Sequence, residues 1–453
     1  MDNNQRSNIG YLGRASYSYD DRYFFTGSYR RDGASVFGVN QKWGDFFAFG
    51  GAWRLSSEKF MSSISYLDDL KLKVSWGKNG NQGLDPYGTL STINNGASGG
   101  VRYEFGGSDI IYGLNQKALG NADLGWETTE SWNTGFESAW LGSRLFVDLD
   151  LYFSKTTDQI FTRDIPVMTG FKNMKSSMGQ VNNRGVELTI RSVNINTQDW
   201  YWTTNLTFWL NRNKLVHLYG EDLNGDGKED DDISNSRFIG KPLGAIYGYQ
   251  QDGIVQETDI EYMKANGATP GIPKYKDMDN DGVITSADRV ILGYSTPNFK
   301  LNMSNTITYK NWDLYFMLTG TFGGGGYYQK SNKGAYLTNG SGRFNTNGIY
   351  IPWWTPENKS NEYPAATFND DGGRFLGLQN RAFVRLQDVT LSYTFREPWV
   401  QKVNIQNLKV FFTAKNLFTI TKWLGGDPEV GVTVSENTYP VLTSFSLGAN
   451  ISF

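Results

Sequence analysis

Three aspartates at alternate positions, Asp277, Asp279 and Asp281, stand in the stretch KDMDNDGVITSADRVILG, which begins at Lys276. Gly282 follows directly, and Asp288 closes a 12-residue frame. Carboxylates in that spacing suit a hard, oxygen-seeking cation. Positions 1, 3 and 5 offer side-chain oxygens, glycine at 6 permits a sharp turn, and position 7 offers its carbonyl. On this frame Asp277, Asp279, Asp281, the Val283 carbonyl and Asp288 are the ligands expected for Ca2+, with Thr285 or a water at position 9 and Ile284 anchoring the loop. Aspartate replaces the usual glutamate at the last position, which shortens its reach. The alternative is a set of Asx turns that needs no metal.

Other residues able to do chemistry are few. DLNGDG from Asp222 is a weaker echo of the loop, because its position 12 is Ile233. Trp353 and Trp354, in IYIPWWTPEN, could stack on sugar rings or on a protein partner, or form a small loop core. The chain of 453 residues has one histidine, His217, and no cysteine. No set of nucleophile, base and orienting group can be assembled, so the expectation is that the chain is not an enzyme. Its ion would be structural. A net charge of -3 gives no electrostatic case for nucleic acid.

The elements that hold these residues read as strands. In LFVDLDLYF, Leu145, Val147, Leu149, Leu151 and Phe153 share one face, and Asp148 and Asp150 take the other. LKLKVSW, WYWTTNLTFWLN, WDLYFMLTGTF and the terminal SFSLGANISF repeat the pattern. About thirteen such segments occur, each about ten residues long, the length of a tilted membrane-crossing strand. They lie near 9–19, 23–31, 45–55, 69–78, 127–140, 145–155, 185–194, 200–212, 298–310, 312–323, 381–395, 407–419 and 442–453. No run of about 18 apolar residues exists to form a membrane helix.

Connections alternate in length. Short turns fall at Asp20–Arg22, Leu141–Arg144, Asn196–Asp199 and Lys310–Asn311. Long loops cover about 79–126, 156–184, 213–297 and 324–380. A meander of this kind, with Trp140, Trp200 and Trp312 at strand ends, is expected of an outer-membrane barrel. A soluble sandwich would place turns every 8–12 residues, and a propeller would show a blade period. Closed bacterial barrels have an even strand count, so an odd count implies part of a larger barrel. The polar start MDNNQRSNIG has no signal-peptide core.

The chain resembles the C-terminal half of SusC/RagA-family TonB-linked outer-membrane transporters. The likeness runs in order through YRRDGASVFGVNQKWGDFFAFGGAWRLSSEKFM, LKLKVSWGKNGNQG, LGWETTESWNTGFE, MGQVNNRGVEL and GAIYGYQQDGI. It continues through DMDNDGVITSADRVILGYSTPNF, NRAFVRLQDVTLSYTF, TAKNLFTIT, GGDPEVG and the terminal Phe453. The resemblance implies an all-β, transmembrane antiparallel barrel of about 22 strands. Residues 1–453 would be its C-terminal portion, with signal peptide and plug absent and long extracellular loops, one carrying 277–288. It implies a Bacteroidetes-type outer membrane, a SusD-type lipoprotein partner, the TonB complex acting through the plug, and a glycan or peptide cargo. TonB-dependent import is the expectation. A passive porin, a calcium-stabilised outer-membrane adhesin, or a soluble calcium-stabilised carbohydrate-binding β protein are the alternatives.

Overall fold

The computed structural model describes residues 4–95, 102–104, 110–171, 173–327, 352–365, 368, 378–402, 405–423, 427–429 and 441–453. Thirteen strands form one antiparallel sheet in chain order. They are β1 (Asn8–Tyr19), β2 (Tyr23–Ala34), β3 (Trp43–Arg54), β4 (Leu67–Asn81), β5 (Glu127–Trp140), β6 (Leu145–Asp164) and β7 (Asn173–Asn196). Then come β8 (Trp200–His217), β9 (Pro297–Tyr309), β10 (Trp312–Gly323), β11 (Phe383–Phe395), β12 (Asn407–Thr421) and β13 (Ser444–Ser452). The thirteen expected segments are therefore the thirteen strands. Two compact units divide the chain: Met1–Ile190 with Asn211–Pro242, and Arg191–Leu210 with Leu243–Phe453.

In the first unit, register converts the alternation of each strand into continuous rows. Phe25, Gly51, Val74, Thr134 and Leu151 align across β2 to β6, and Tyr23, Trp53, Leu72, Phe136 and Leu149 form the next row on that face. The opposite face carries Phe24, Ala52, Lys73, Gly135 and Asp150. Large apolar side chains are exposed on the first face, with Val74 at 50% and Trp132 at 52%. A water-soluble sheet would bury them; a face turned to lipid exposes them. The other face holds an ion-pair cluster: Lys73 Nζ lies 2.8 Å from Asp148 and 2.8 Å from Asp150. Gly135 lies between Lys73 and Asp150 in the row, so no side chain blocks the lysine's path across β5.

The second unit repeats this logic with other residues. Trp202, Ile307, Leu314, Leu391, Phe412 and Leu447 form one row across β8 to β13. The residues beside them, Thr203, Thr306, Tyr315, Thr390, Thr413 and Ser446, form a hydroxyl row on the reverse. Leu447 is 79% exposed, again on the apolar side. Strand ends at the short turns carry aromatic pairs: Trp200 with Tyr309 at 4.3 Å and Trp312 with Tyr393 at 4.8 Å between centroids. The first unit has Tyr19, Tyr23 and Trp53 stacked at 6.5 and 6.2 Å. Amphipathic rings at strand ends, Trp200 and Trp312 among them, are what an interface girdle needs within each unit.

One expectation is corrected. Residues 156–184 are not a long loop, since β6 continues to Asp164 and β7 begins at Asn173. At about 3.3 Å per residue, the 24 residues of β7 exceed any hydrocarbon layer even when tilted. Beyond that layer neither face must be apolar, so pairing continues through Thr, Asn and Arg without alternation. The other long loops also contain short hairpins, pairing 92–95 with 114–118, 245–249 with 289–294, and 251–254 with 273–275.

Candidate functional site: two acidic loops and a loop core

The acidic loop at 277–288 belongs to the second unit. It follows the helix α1 (Ile260–Asn266) and the strand at 273–275. Asp277 accepts the Asn280 N–H at 2.6 Å on one oxygen and the Gly282 N–H at 2.7 Å on the other. Asp279 accepts from Asp281 N at 3.2 Å, and Asp281 from Val283 N at 2.8 Å. Gly282 has φ +87°, the left-handed conformation the sharp turn requires. Asp277, Asp279 and Asp281 each bring an oxygen to within 4.8 Å of the others. Ile284 does anchor the loop, and through its N–H, which donates to Asn266 Oδ1 at 2.7 Å.

Asp288 stands apart from that trio in role. It is fully buried, accepting the Met278 N–H at 2.7 Å on Oδ1 and the Thr285 N–H at 2.7 Å on Oδ2. With Thr285 it forms a capping box on the short 3-10 turn Ser286–Asp288. The structure thus uses the last acid to close the loop on itself. The backbone N–H groups of Thr285 and Met278 hold its carboxyl below the usual range. Asp279 is shifted the other way. The Asp281 N–H pulls it down, but desolvation and the charges of Asp281 and Asp288 outweigh that and raise it. A carboxylate held up by the charges beside it, as Asp279 is, is what a cation would relieve.

The echo at 222–230, in the first unit, folds by the same scheme. Asp222 accepts from Gly225, Asp226 and Gly227 N–H at 2.8, 3.1 and 2.9 Å. Asn224 accepts from Asp226 N at 2.8 Å, and Asp226 from Lys228 N at 2.8 Å. The closing acid is Asp230: it accepts the Leu223 N–H at 2.6 Å, as Asp288 accepts that of Met278, and also binds the Asn224 amide at 2.8 Å. Glu229 ties the loop to the end of β8 by accepting Leu218 N at 2.6 Å and Gly220 N at 2.8 Å. Desolvation would raise the Glu229 carboxyl, but these backbone donors and His217 bring it below its ordinary range. Sequence reasoning sought the closing acid at position 12 and found Ile233. The signal for Asp230 was present as D-x-N-x-D-G-x-x-D.

The tryptophan pair has divided roles. Trp354 is buried and donates its indole N–H to Gln256 Oε1 at 3.0 Å. Gln256 also reaches the Ser360 carbonyl at 3.1 Å, and Asn361 accepts the Ile254 N–H at 3.0 Å. Residues 352–365 are thereby joined to the 251–275 hairpin and its buried Ile254, Val255 and Tyr275. This is the small loop core. Trp353 is half-buried, and its carbonyl accepts the Asn358 amide at 2.6 Å.

A sheet with one lipid-facing side, aromatic ends and large loops defines a portion of an outer-membrane β-barrel. Residues 1–417 match the family described as TonB dependent receptor-like, beta-barrel, and the chain belongs to that family. It is 29% identical over 469 residues to the TonB-dependent receptor P3 of Formosa agariphila, spanning 99% of this chain and 46% of the relative. It is 30% identical over 461 residues to the TonB-dependent receptor SusC of Bacteroides thetaiotaomicron, spanning 98% and 44%. Among solved structures, the RagAB peptide transporter has a TM-score of 0.81 at 24% identity, covering 99% of this chain and 47% of that one. The chain thus spans about half the length of the curated relatives it matches. The expected fold class and outer-membrane location hold.

Proposed function

We propose that these thirteen strands are the C-terminal share of a larger closed barrel that imports oligosaccharides or peptides by TonB-dependent energy coupling. A SusD-type lipoprotein would cover its outer face, and the TonB complex would act through a plug. The carrying observation is the wall: a continuous apolar row across β8 to β13 with a hydroxyl row behind it. Likeness to SusC and to the RagAB fold supports the same reading. Trp353, backed by the buried Trp354, would be the aromatic contact for cargo. The test uses cells carrying the full-length protein and measures uptake of labelled oligosaccharides and labelled peptides with and without TonB. Loss of uptake without TonB is expected. Equal uptake in both would favour the passive porin, and surface binding without uptake would favour the adhesin.

The 277–288 loop would hold Ca2+ as a structural ion. The donor set fits: three carboxylate oxygens converge, and the Val283 carbonyl, at position 7 of the frame, would join them. Asp288 would fix the frame from beneath. Bound ion stabilises by RT ln(1 + [L]/Kd), about 2.7 kcal/mol at a hundredfold excess over Kd. The expected outcome is calcium-dependent protection from protease within about residues 213–297, lost in the variant Asp277→Ala/Asp281→Ala. Identical cleavage with and without chelator would mean that Asx turns alone hold the loop.

A further inference from the structure

Near the outer end of β11 an arginine is buried on the face that should be wet. Arg385 pairs with Thr319 on β10 and Thr419 on β12, so its side chain leaves the sheet opposite Leu386 and Phe418. That is the luminal side, yet Arg385 is 5% exposed. The cover is Asp427–Glu429, a segment between β12 and β13. Arg385 Nη2 meets Asp427 Oδ1 at 2.8 Å, and Nη1 meets Glu429 Oε2 at 2.9 Å. Its Nε donates to Thr419 Oγ1 at 3.0 Å, and the guanidinium lies 4.9 Å from the Phe383 ring.

A second arginine grips the same segment by its backbone. Arg381 donates from Nε to the Pro428 carbonyl at 2.9 Å and from Nη2 to the Glu429 carbonyl at 2.9 Å. Both guanidinium groups are forks that fix direction as well as distance. Burying an ion pair adds little net stability compared with apolar packing, and its best-attested use is to specify one arrangement. A connection that merely joined two strands would not need one buried fork and a second, half-buried one beside it. The contact is also incomplete. Asp427 Oδ1 takes both Arg385 and the Glu429 N–H, while the buried Oδ2 has no hydrogen-bond partner among the described residues. A half-satisfied buried carboxylate costs free energy, which lowers the barrier to release.

We propose that Arg381 and Arg385 are positioning residues that hold Asp427–Glu429 as a releasable strap on the luminal wall and so set the width of the passage. The second half of this statement rests on the importer reading. The experiment is hydrogen exchange on the full-length protein in outer-membrane vesicles, with labelled-cargo uptake measured on the same strains. In Arg385→Ala, peptides containing 427–429 should exchange several-fold faster while β11 and β12 keep their protection. Arg385→Lys, which keeps the charge and loses the fork, should fall between. Unchanged exchange at 427–429 would overturn the strap, as would loss of protection throughout β11 and β12, which would make the arginine a residue of the fold. If the strap loosens and the size range of imported cargo stays the same, the role in setting width falls. Failure of the wild type to import either cargo would remove the importer reading and leave the exchange result standing.

Discussion

The wall and the acidic loops both place aspartates, by opposite rules. On β6, Asp148 and Asp150 face Lys73 because even positions point away from lipid. Parity alone decides, and any polar residue there would face the same way. In the loops, parity is irrelevant. Asp288 and Asp230 perform one task, accepting the N–H of the residue after the first aspartate, from the last position of a 12-residue frame and from the ninth position of a shorter one. A wall residue's role is set by its index; a loop residue's role is set by which backbone donor it reaches.

The sharpest way to break this comparison is to reverse one wall face. A cationic side chain on the lipid face at the bilayer midplane costs about 2–4 kcal/mol. Leu149→Arg should therefore cut the yield of assembled, heat-resistant protein in the outer membrane far more than Asp150→Arg. Equal yields would mean that parity does not rule on β6. Next in size is Asp288→Ala. It strips the acceptor from two backbone N–H groups, each worth about 1–3 kcal/mol when left unsatisfied in a buried place. Proteolysis should open the 277–288 loop in this variant without lowering barrel assembly.

A smaller effect sharpens the contrast between the loops. Asp230→Ala should expose 222–230 to protease, while Ile233→Asp, which supplies the acid that the 12-residue frame demands, should change nothing. Protection gained in Ile233→Asp would show that the long frame governs both loops. The smallest effect is on pH. Asp288 has a depressed carboxyl, so its contribution is present above the ordinary value of about 3.9 and is lost only as pH falls through its lower folded value. Asp279 is raised, so it protonates first on acidification. Calcium-dependent protection should therefore fade on acidification before the loop itself opens, as limited proteolysis with and without chelator across that range would record.

Periodicity made the wall legible because lipid on one side and polar surroundings on the other impose a two-residue repeat. The same signal vanished past Lys155, where strands continue outside the hydrocarbon and their pairing leaves no compositional mark. The trio Asp277, Asp279 and Asp281 was legible as well, since its spacing alone brings the oxygens together. The task of Asp288 was not, because a carboxylate that binds metal and one that caps a turn are the same letter. The loop core at Trp353 and Trp354 could be read as an option, but which of the two is buried could not. It depends on Gln256, about a hundred residues away in the chain. Arg385 was hidden for a like reason: its index declares a luminal side chain, and only the path of Asp427–Glu429 covers it.

Gly135 gives the wall a property that neither hydrophobicity nor hydrogen bonding to neighbours supplies. A Cβ there would fall 1.9 Å from the Leu149 carbonyl oxygen and 2.9 Å from Asp150 Oδ1. With no Cβ there, the β6 backbone comes in close, and one ammonium on β4 engages two carboxylates on β6, two strands away. A sheet is weakest to sliding along its strands, where a shift of two residues restores every backbone bond and every face. Here such a slip would have to pull Lys73 from Asp148 and Asp150 together. The missing side chain acts as a keyway, and the lysine as its key, against shear between strands that are not neighbours in the sheet.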